Sequence, residues 1–425
     1  MLDIKFVREN PEIVKENIKK KFQDAKLVLV DEVLELDKQS RALKNEVSEL
    51  RAERNSTSSK IGMLMKNKEF EEAEQMKKRV VEINNRLVSI EADEQRIAEE
   101  VKQRMMVIPN IIDPSVPIGK DDSENVELKR YLEPKVPAFE IPYHLDILEG
   151  VKGIDLDSAR KVAGNGFYYL TGNIARLHSA VLTYARDFMI NKGFTYCIPP
   201  YMIRSNVVTG VMSFAEMESM MYKIEGEDLY LIGTSEHSMI GKFIDTILDK
   251  QNLPYNLTSY SPCFRKEKGA HGIEERGIYR IHQFEKQEMI VVCEPEDSAN
   301  WFEKLWGYTV ELFVSMGIPV RTLECCSGDL ADLKVKSIDV EAWSPRQQKY
   351  FEVGSCSNLG DAQARRLGIR IKGEKGNYFA HTLNNTVVAP PRMLIALIEN
   401  YLNEDGSITV PEVLRPYMGG TEVIR

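Results

Sequence analysis

The sequence predicts an α+β fold: an N-terminal antiparallel helical coiled-coil arm, then a domain built on an antiparallel β-sheet flanked by helices. Three observations carry this prediction. Apolar residues step by three and four through residues 31–105 with no proline inside the runs. A proline-rich, charged stretch follows. From residue 143 onward, short β-branched runs are joined by hairpin-sized gaps and long insertions, not by regular βαβ repeats.

Residues 1–105 read as one N-terminal domain. Residues 1–30 hold a short helical pattern, with Pro11 near a helix start and Asn10 placed as its N-cap. The first arm run is Val33, Leu36, Leu43, Val47, Leu50, Ile61 and Leu64, with Ser40, Arg54 and Thr57 at polar steps of the same series. The second is Ala73, Met76, Val80, Ile83, Leu87, Ile90, Ile97 and Val101, interrupted by Glu94. Between them Lys66-Asn67-Lys68-Glu69 offers a polar turn. Two helices folded back there would each span roughly 50 Å at 1.5 Å per residue, as an arm projecting from the body. Periodicity alone fits a dimerisation coiled coil or a spacer. Lys66, Lys68, Lys77, Lys78 and Arg79 gather toward the tip, where they suit either a phosphate backbone or a solvated face.

Residues 106–142 read as a linker, with six prolines between Pro109 and Pro142 and the charged run Lys120-Asp121-Asp122-Ser123-Glu124. The remaining domain is 143–425. A helix near 174–190 leads into a short strand in Phe194-Thr195-Tyr196-Cys197-Ile198 that ends at Pro199-Pro200. Further strands are expected at 228–232, 255–264, 279–292, 338–343, 349–353 and 378–383, with helices at 298–316 and 391–403.

Bulk properties narrow the function. A net charge of −9 argues against broad adhesion to nucleic acid while leaving room for a local basic patch. The six cysteines form no C-x-x-C pair, so neither a disulfide framework nor a zinc site is expected. The charged N-terminus lacks the apolar core of a signal peptide, and no apolar run approaches the ~18 residues that span a bilayer. The expectation is a cytoplasmic protein with no membrane partner.

The densest chemistry lies in Ser261-Pro262-Cys263-Phe264-Arg265-Lys266-Glu267, a charged glycine-containing stretch to Gly277, and Ile278-Tyr279-Arg280-Ile281-His282-Gln283-Phe284-Glu285-Lys286-Gln287-Glu288. This reads as a strand, a long loop and a returning strand. Period-two alternation would put Arg280, His282, Phe284, Lys286 and Glu288 on one face. A guanidinium can hold phosphate, a ring can stack on a base, and a carboxylate can hold an ammonium. An ordinary hairpin with surface ion pairs has the same pattern.

Pro262-x-Phe264-Arg265-x-Glu267 resembles motif 2 of the class II aminoacyl-tRNA synthetases. Two others then fall in order: Thr195-Tyr196-Cys197-Ile198-Pro199-Pro200 is similar to motif 1, and Val387-Val388-Ala389-Pro390-Pro391-Arg392 through Glu399 to motif 3. Within that class the chain most resembles the seryl enzymes over nearly its whole length. The features are MLDIKFVRENPEIV, the arm, Gly233-Thr234-Ser235-Glu236, Val353-Gly354-Ser355-Cys356-Ser357-Asn358, His381-Thr382-Leu383-Asn384-Asn385-Thr386 and Pro411-Glu412-Val413-Leu414-Arg415-Pro416-Tyr417.

The resemblance implies an enzyme that activates serine with ATP and magnesium, then transfers it to tRNA(Ser), with tRNA(Sec) as a further acceptor left open. It implies a homodimer paired at motif 1 and an arm that reads the tRNA. Residue by residue, Arg265, Glu288 and Arg392 are the catalytic candidates. Arg265 would bind the α-phosphate and serine carboxylate. Glu267 and the Ile281 backbone would meet adenine, with Phe284 and Arg392 on its two faces; Lys266, Val353 and Gly354 complete the ATP set. Glu352 and Ser355 would contact ATP and magnesium. Thr234, Ser235, Glu236, Glu288 and Thr386 would line the serine site, where hydroxyl recognition rejects alanine and volume rejects threonine.

Two departures stand out. His237 occupies a position expected to be apolar, and a packed ring accounts for it better than a ligand. Asp332 and Lys334 replace small residues after Gly328-Asp329. No H-x-G-H, K-M-S-K-S or G-x-x-x-x-G-K-[ST] string occurs, which disfavours class I synthetases and P-loop enzymes. A carrier-loading paralogue is disfavoured by the arm, and a catalytically dead tRNA-binding scaffold by retention of the charged set.

Overall fold

The computed structural model describes residues 1–267 and 277–425. The chain divides into two compact units: Leu2–Lys19 with Gln23–Pro109, and Met1, Lys20–Phe22 and Asn110–Arg425.

The first unit is helical: α1 (Ile4–Glu9), most of α2 (Pro11–Lys20), α3 (Leu27–Asn67) and α4 (Phe70–Val107). Pro11 opens α2 as expected. The Asn10 side chain instead turns back to the Phe6 carbonyl at 3.2 Å. With 41 residues, α3 is about 60 Å long, exceeding the expected span because it begins at Leu27. The turn is built by Lys68 in the left-handed region (φ 66°), whose N–H and that of Glu69 satisfy the Leu64 and Met65 carbonyls that end α3. Val47, Ile83, Leu87 and Ile90 form the buried seam, flanked by Leu43 and Leu50. Ion pairs Arg51–Glu91 (3.0 Å), Arg86–Glu46 (2.8 Å) and Arg79–Glu53 (2.8 Å) cross between the helices. Exposed pairs of this kind contribute little, so they mark antiparallel register more than they stabilise it. Glu94, which interrupts the seam, stands 3.7 Å from Lys44.

The second unit is organised by an eight-stranded sheet. In chain order its strands are β1 (Val126–Tyr131), β2 (Thr195–Tyr196), β3 (Tyr255–Phe264), β4 (Gln283–Cys293), β5 (Val320–Glu324), β6 (Lys336–Ser344), β7 (Lys349–Asn358) and β8 (His381–Val388). They lie side by side as β1-β5-β6-β7-β8-β4-β3-β2. All neighbours run antiparallel except β2 and β3, which are parallel.

Alternation along β4 explains the two faces. Met289, Val291 and Cys293 enter the main core, where Leu177 of α5 (Gly172–Asn191), Leu305 of α7 (Ser298–Ser315) and Leu394 of α8 (Pro390–Asn400) cover the sheet. On the opposite face Ile290 and Val292 pack under Met239 and Ile240 of α6 (Ser235–Gly241). Further along that same face Phe284, Lys286 and Glu288 are left to line a cleft.

Several expectations need correcting. The stretch 106–142 contains β1, an edge strand paired with β5, and β5 itself was not anticipated. The five residues of β5 follow directly on Ile318-Pro319, and so short a run offers little alternation to count. The returning strand starts at Gln283, so Arg280 and His282 precede it and the five-residue face shortens to Phe284, Lys286 and Glu288. Strand β7 continues to Asn358, and the run 378–383 splits at Ala380 into Tyr378–Phe379, in a separate three-stranded sheet, and β8. The charged loop expected before Gly277 falls on 268–276, outside the described residues.

Candidate active site

One cavity of about 500 Å³ opens over the β4 face and brings together most of the predicted residues. Thr234, Glu236, Arg265, Glu267, Ile281, Phe284, Glu288, Glu352, Val353, Gly354, Ser355, Thr386 and Arg392 all line it. Ser235 does not: it is fully buried in the first turn of α6, and its hydroxyl has no hydrogen-bond partner among the described residues. Lys266 also lies off the wall, its backbone N–H tied to the Met220 carbonyl at 2.9 Å.

Backbone irregularities place the carboxylates. Between β6 and β7 the register slips, so that Val340 faces Gly354 while Glu341 faces Glu352. The extra residue, Val353, changes the phase of the pleat, and Glu352 and Ser355 thereby reach the same side although they are three apart. A second bulge at Val387 in β8 follows Thr386, which stands opposite Glu288.

The floor of the cleft is a hydrogen-bonded carboxylate cluster. Thr234, the N-cap of α6, donates its hydroxyl to Glu288 Oε2 at 3.0 Å, and the same oxygen pairs with the Lys286 ammonium. Glu236 accepts from Gln363 Nε2 at 2.8 Å, while Thr382 donates to Gln363 Oε1 at 2.6 Å. Burial, and next the charge of Glu288, raise the Glu236 carboxyl to about 7.

At the motif 2 end, Arg265 Nε donates to the Gly233 carbonyl at 3.2 Å, and the guanidinium sits 5.4 Å from the Phe284 ring centre. Among the described residues it makes no ion pair. The base of the hairpin is clamped by Arg265 N–H to His282 O at 2.9 Å, with His282 Nδ1 3.0 Å from the Arg265 carbonyl. That clamp, plus Tyr222, engages His282 away from the cavity. Arg280 does line the cavity, 3.5 Å from Glu267.

Elsewhere in the cavity lining Arg392 Nη1 pairs with Glu352 Oε2 at 3.0 Å, and its guanidinium lies 4.9 Å from the centre of the Tyr279 ring. Burial works against both charges, yet each overcomes it in the other: Arg392 is held above and Glu352 below the ordinary value. Asp339 faces Ser355 across the β6–β7 register. Glu352, Ser355 and Asp339 thus present only oxygen donors, a set that fits a hard divalent cation such as magnesium. Cys325, Asp329 and Asp339 also place ligand atoms within 4.8 Å of one another.

Both departures noted in the sequence acquire a place. His237 is a packed, neutral ring: burial, then Arg265 and Lys286, lower it to about 3. Lys334 lines the cavity, whereas Asp332 does not. Burial opposes the Lys334 charge, but Asp339 and the other acidic groups around it hold the ammonium above its ordinary range. Sequence reasoning missed Gln363, Asp339 and Tyr279. Tyr279 and Asp339 sat inside quoted or predicted strands; Gln363 meets Glu236 across 127 positions and left no local signal.

This antiparallel sheet with one parallel edge pair, carrying a charged cleft lined by Arg265 and Arg392, is a class II aminoacyl-tRNA synthetase core by its family match. Residues 220–401 match the tRNA synthetase class II core domain (G, H, P, S and T), and residues 1–112 match the Seryl-tRNA synthetase N-terminal domain. The chain is 40% identical to the serine–tRNA ligase of Methanoculleus marisnigri over 427 aligned positions, covering 100% of both. Its structure is similar to the crystal structure of seryl-tRNA synthetase from Pyrococcus horikoshii complexed with ATP (TM-score 0.94, 39% identity, 100% and 99% of the two chains). It is also similar to cytoplasmic serine–tRNA ligase from Naegleria fowleri in complex with AMP (TM-score 0.89, 32% identity, 100% and 99% coverage). The chain belongs to the seryl-tRNA synthetase family of aminoacyl-tRNA ligases.

The raised Glu236 carboxyl has a consequence for stability. The folded state holds this proton more tightly than the unfolded chain, so stability declines as pH rises from about 4.5 to about 7 and is level above that. Glu236→Gln should therefore raise Tm at pH 8 and change it little at pH 5. Thermal unfolding at the two pH values checks this, and an equal shift at both would remove the assignment.

Proposed function

We propose that the cleft activates L-serine with ATP and that the same enzyme then passes the serine to tRNA(Ser). The observation that carries the reading is Arg265: a cation with no ion pair among the described residues, placed in a cavity that also holds the Thr234–Glu288–Lys286 cluster.

In the first step a serine carboxylate oxygen attacks the α-phosphorus, the bond to the bridging oxygen breaks, and pyrophosphate leaves with that electron pair. The nucleophile is already ionised, so no protein base is needed. Arg265 holds the α-phosphate and the serine carboxylate, where charge develops in the transition state. Glu267 and the Ile281 backbone meet adenine, Phe284 stacks on one face and Arg392 covers the other. Glu288 and Thr386 receive the serine amino group and hydroxyl, with Thr234 and Glu236 beside them. Glu352 and Ser355 would hold magnesium, which neutralises phosphate charge when bound. In the second step the terminal tRNA hydroxyl attacks the adenylate carbonyl and AMP leaves. Serine transfer to tRNA(Sec) would use the same chemistry.

The arm is the tRNA-binding element of this reading. Among the described residues Lys66, Lys68 and Lys78 make no ion pair, unlike Lys77 and Arg79, which stand 3.1 and 2.8 Å from Glu74 and Glu53. Those three ammonium groups near the turn suit a phosphate backbone. The assembly is a homodimer paired through the motif 1 segment, where Ile198 is 71% exposed.

Three experiments follow from this reading. Arg265→Ala should lower serine-dependent pyrophosphate exchange by about 10²–10³, the scale of losing an oxyanion donor; exchange within threefold of wild type would overturn the role. Deleting roughly residues 36–98 with a short bridge should spare pyrophosphate exchange while sharply lowering tRNA aminoacylation, because phosphate contacts that position the tRNA are lost. Equal retention of both activities would make the arm a spacer. Sedimentation at micromolar concentration should give twice the chain mass; a fully active monomer would contradict the dimer.

A further inference from the structure

The cations of the cleft are not equivalent. Lys286 is paired with Glu288, Arg280 with Glu267 and Arg392 with Glu352. Lys334 belongs to none of these pairs. Among the described residues its ammonium touches only hydroxyls, Ser337 Oγ at 3.3 Å and Ser355 Oγ at 3.5 Å. Both contacts are long for charged hydrogen bonds, which normally close to about 2.7–2.9 Å. The ammonium therefore keeps hydrogen-bonding capacity toward the cavity it lines. A lysine stem immersed among acidic groups would ordinarily collapse onto one of them. Here the loop before β6 holds Lys334 beside Ser355, short of Asp339 and Glu352.

From this geometry we infer that Lys334 is a further catalytic residue, whose ammonium hydrogen-bonds a non-bridging oxygen of the nucleotide's α-phosphate. This rests on the adenylation reading above and deepens it. The ammonium keeps its proton throughout. It opposes the negative charge that grows on the phosphoryl oxygens as the serine oxygen bonds to phosphorus and the bond to pyrophosphate breaks. Arg265 and Lys334 would be the two cleft cations kept clear of protein carboxylates for this purpose.

The competing assignment is structural: Lys334 simply neutralises Asp339. Titration calorimetry with AMP and with adenosine separates the two, because only AMP carries the phosphate. Lys334→Met should weaken AMP about ten- to a hundredfold, the scale of one charged hydrogen bond, and leave adenosine within threefold. Lys334→Arg should recover part of the AMP loss. In Lys334→Met with Asp339→Asn, AMP should stay weak; recovery to the wild-type value would assign Lys334 to Asp339 and overturn the proposal. Equal losses for AMP and adenosine, or none, would overturn it too. Serine-dependent pyrophosphate exchange by the wild type tells the two failures apart. If exchange is present and Lys334→Met binds AMP normally, only Lys334 is misassigned; if exchange is absent, the adenylation reading itself falls.

Discussion

Strand Gln283–Cys293 has to satisfy two different surroundings with one two-residue repeat. Met289, Val291 and Cys293 lie in the helix-covered core, while Phe284, Lys286 and Glu288 face the cleft. Burying each large apolar side chain contributes roughly 1.5–3 kcal/mol. A slip by one residue would exchange the two sets, exposing that surface and forcing Lys286 and Glu288 among apolar neighbours. The core on one face thus fixes the chemistry on the other. Helices α5 and α7 add no residue to the cavity wall and α8 adds only Pro391 and Arg392, yet all three hold the register on which the cleft residues depend.

Charge in the cleft is arranged by the same strands. Neighbouring residues of one pleat face supply the Lys286–Glu288 pair, and strands β7 and the helix after β8 supply Glu352 and Arg392. Pairing makes burial tolerable for these four groups. Among the described residues Glu236 makes no ion pair, so burial and the nearby Glu288 charge outweigh the hydrogen bond from the Gln363 amide and its proton is retained toward neutral pH. Cleft charges fall into two sorts: those neutralised inside the protein and those left to meet a ligand.

What could be read from the sequence was whatever repeats locally. The arm was legible because its heptad spacing persists over many turns, and Tyr255–Phe264 was found to the residue. Most of the site was legible as well, through strings such as Pro262-x-Phe264-Arg265-x-Glu267. Three kinds of feature were not. Val126–Tyr131 is an exposed edge strand, so no buried face imprints alternation on it. Arg280 and His282 continue the period-two pattern of β4 on paper, but the strand begins only after them, at Gln283, and His282 turns to clamp the hairpin. Ser235 sits in the right string but on the inner side of a short helix, and Gln363 reaches Glu236 only through the tertiary fold.

The two bulges, at Val353 and Val387, make residue count as binding a specification as residue identity. Substitutions along β7 can drift while the pleat survives. Losing one codon between Glu352 and Ser355 would instead reverse which side every later residue faces. In a lineage of such enzymes, length polymorphism should therefore collect in the connecting loops and be purged from these strands, even where the individual side chains vary freely.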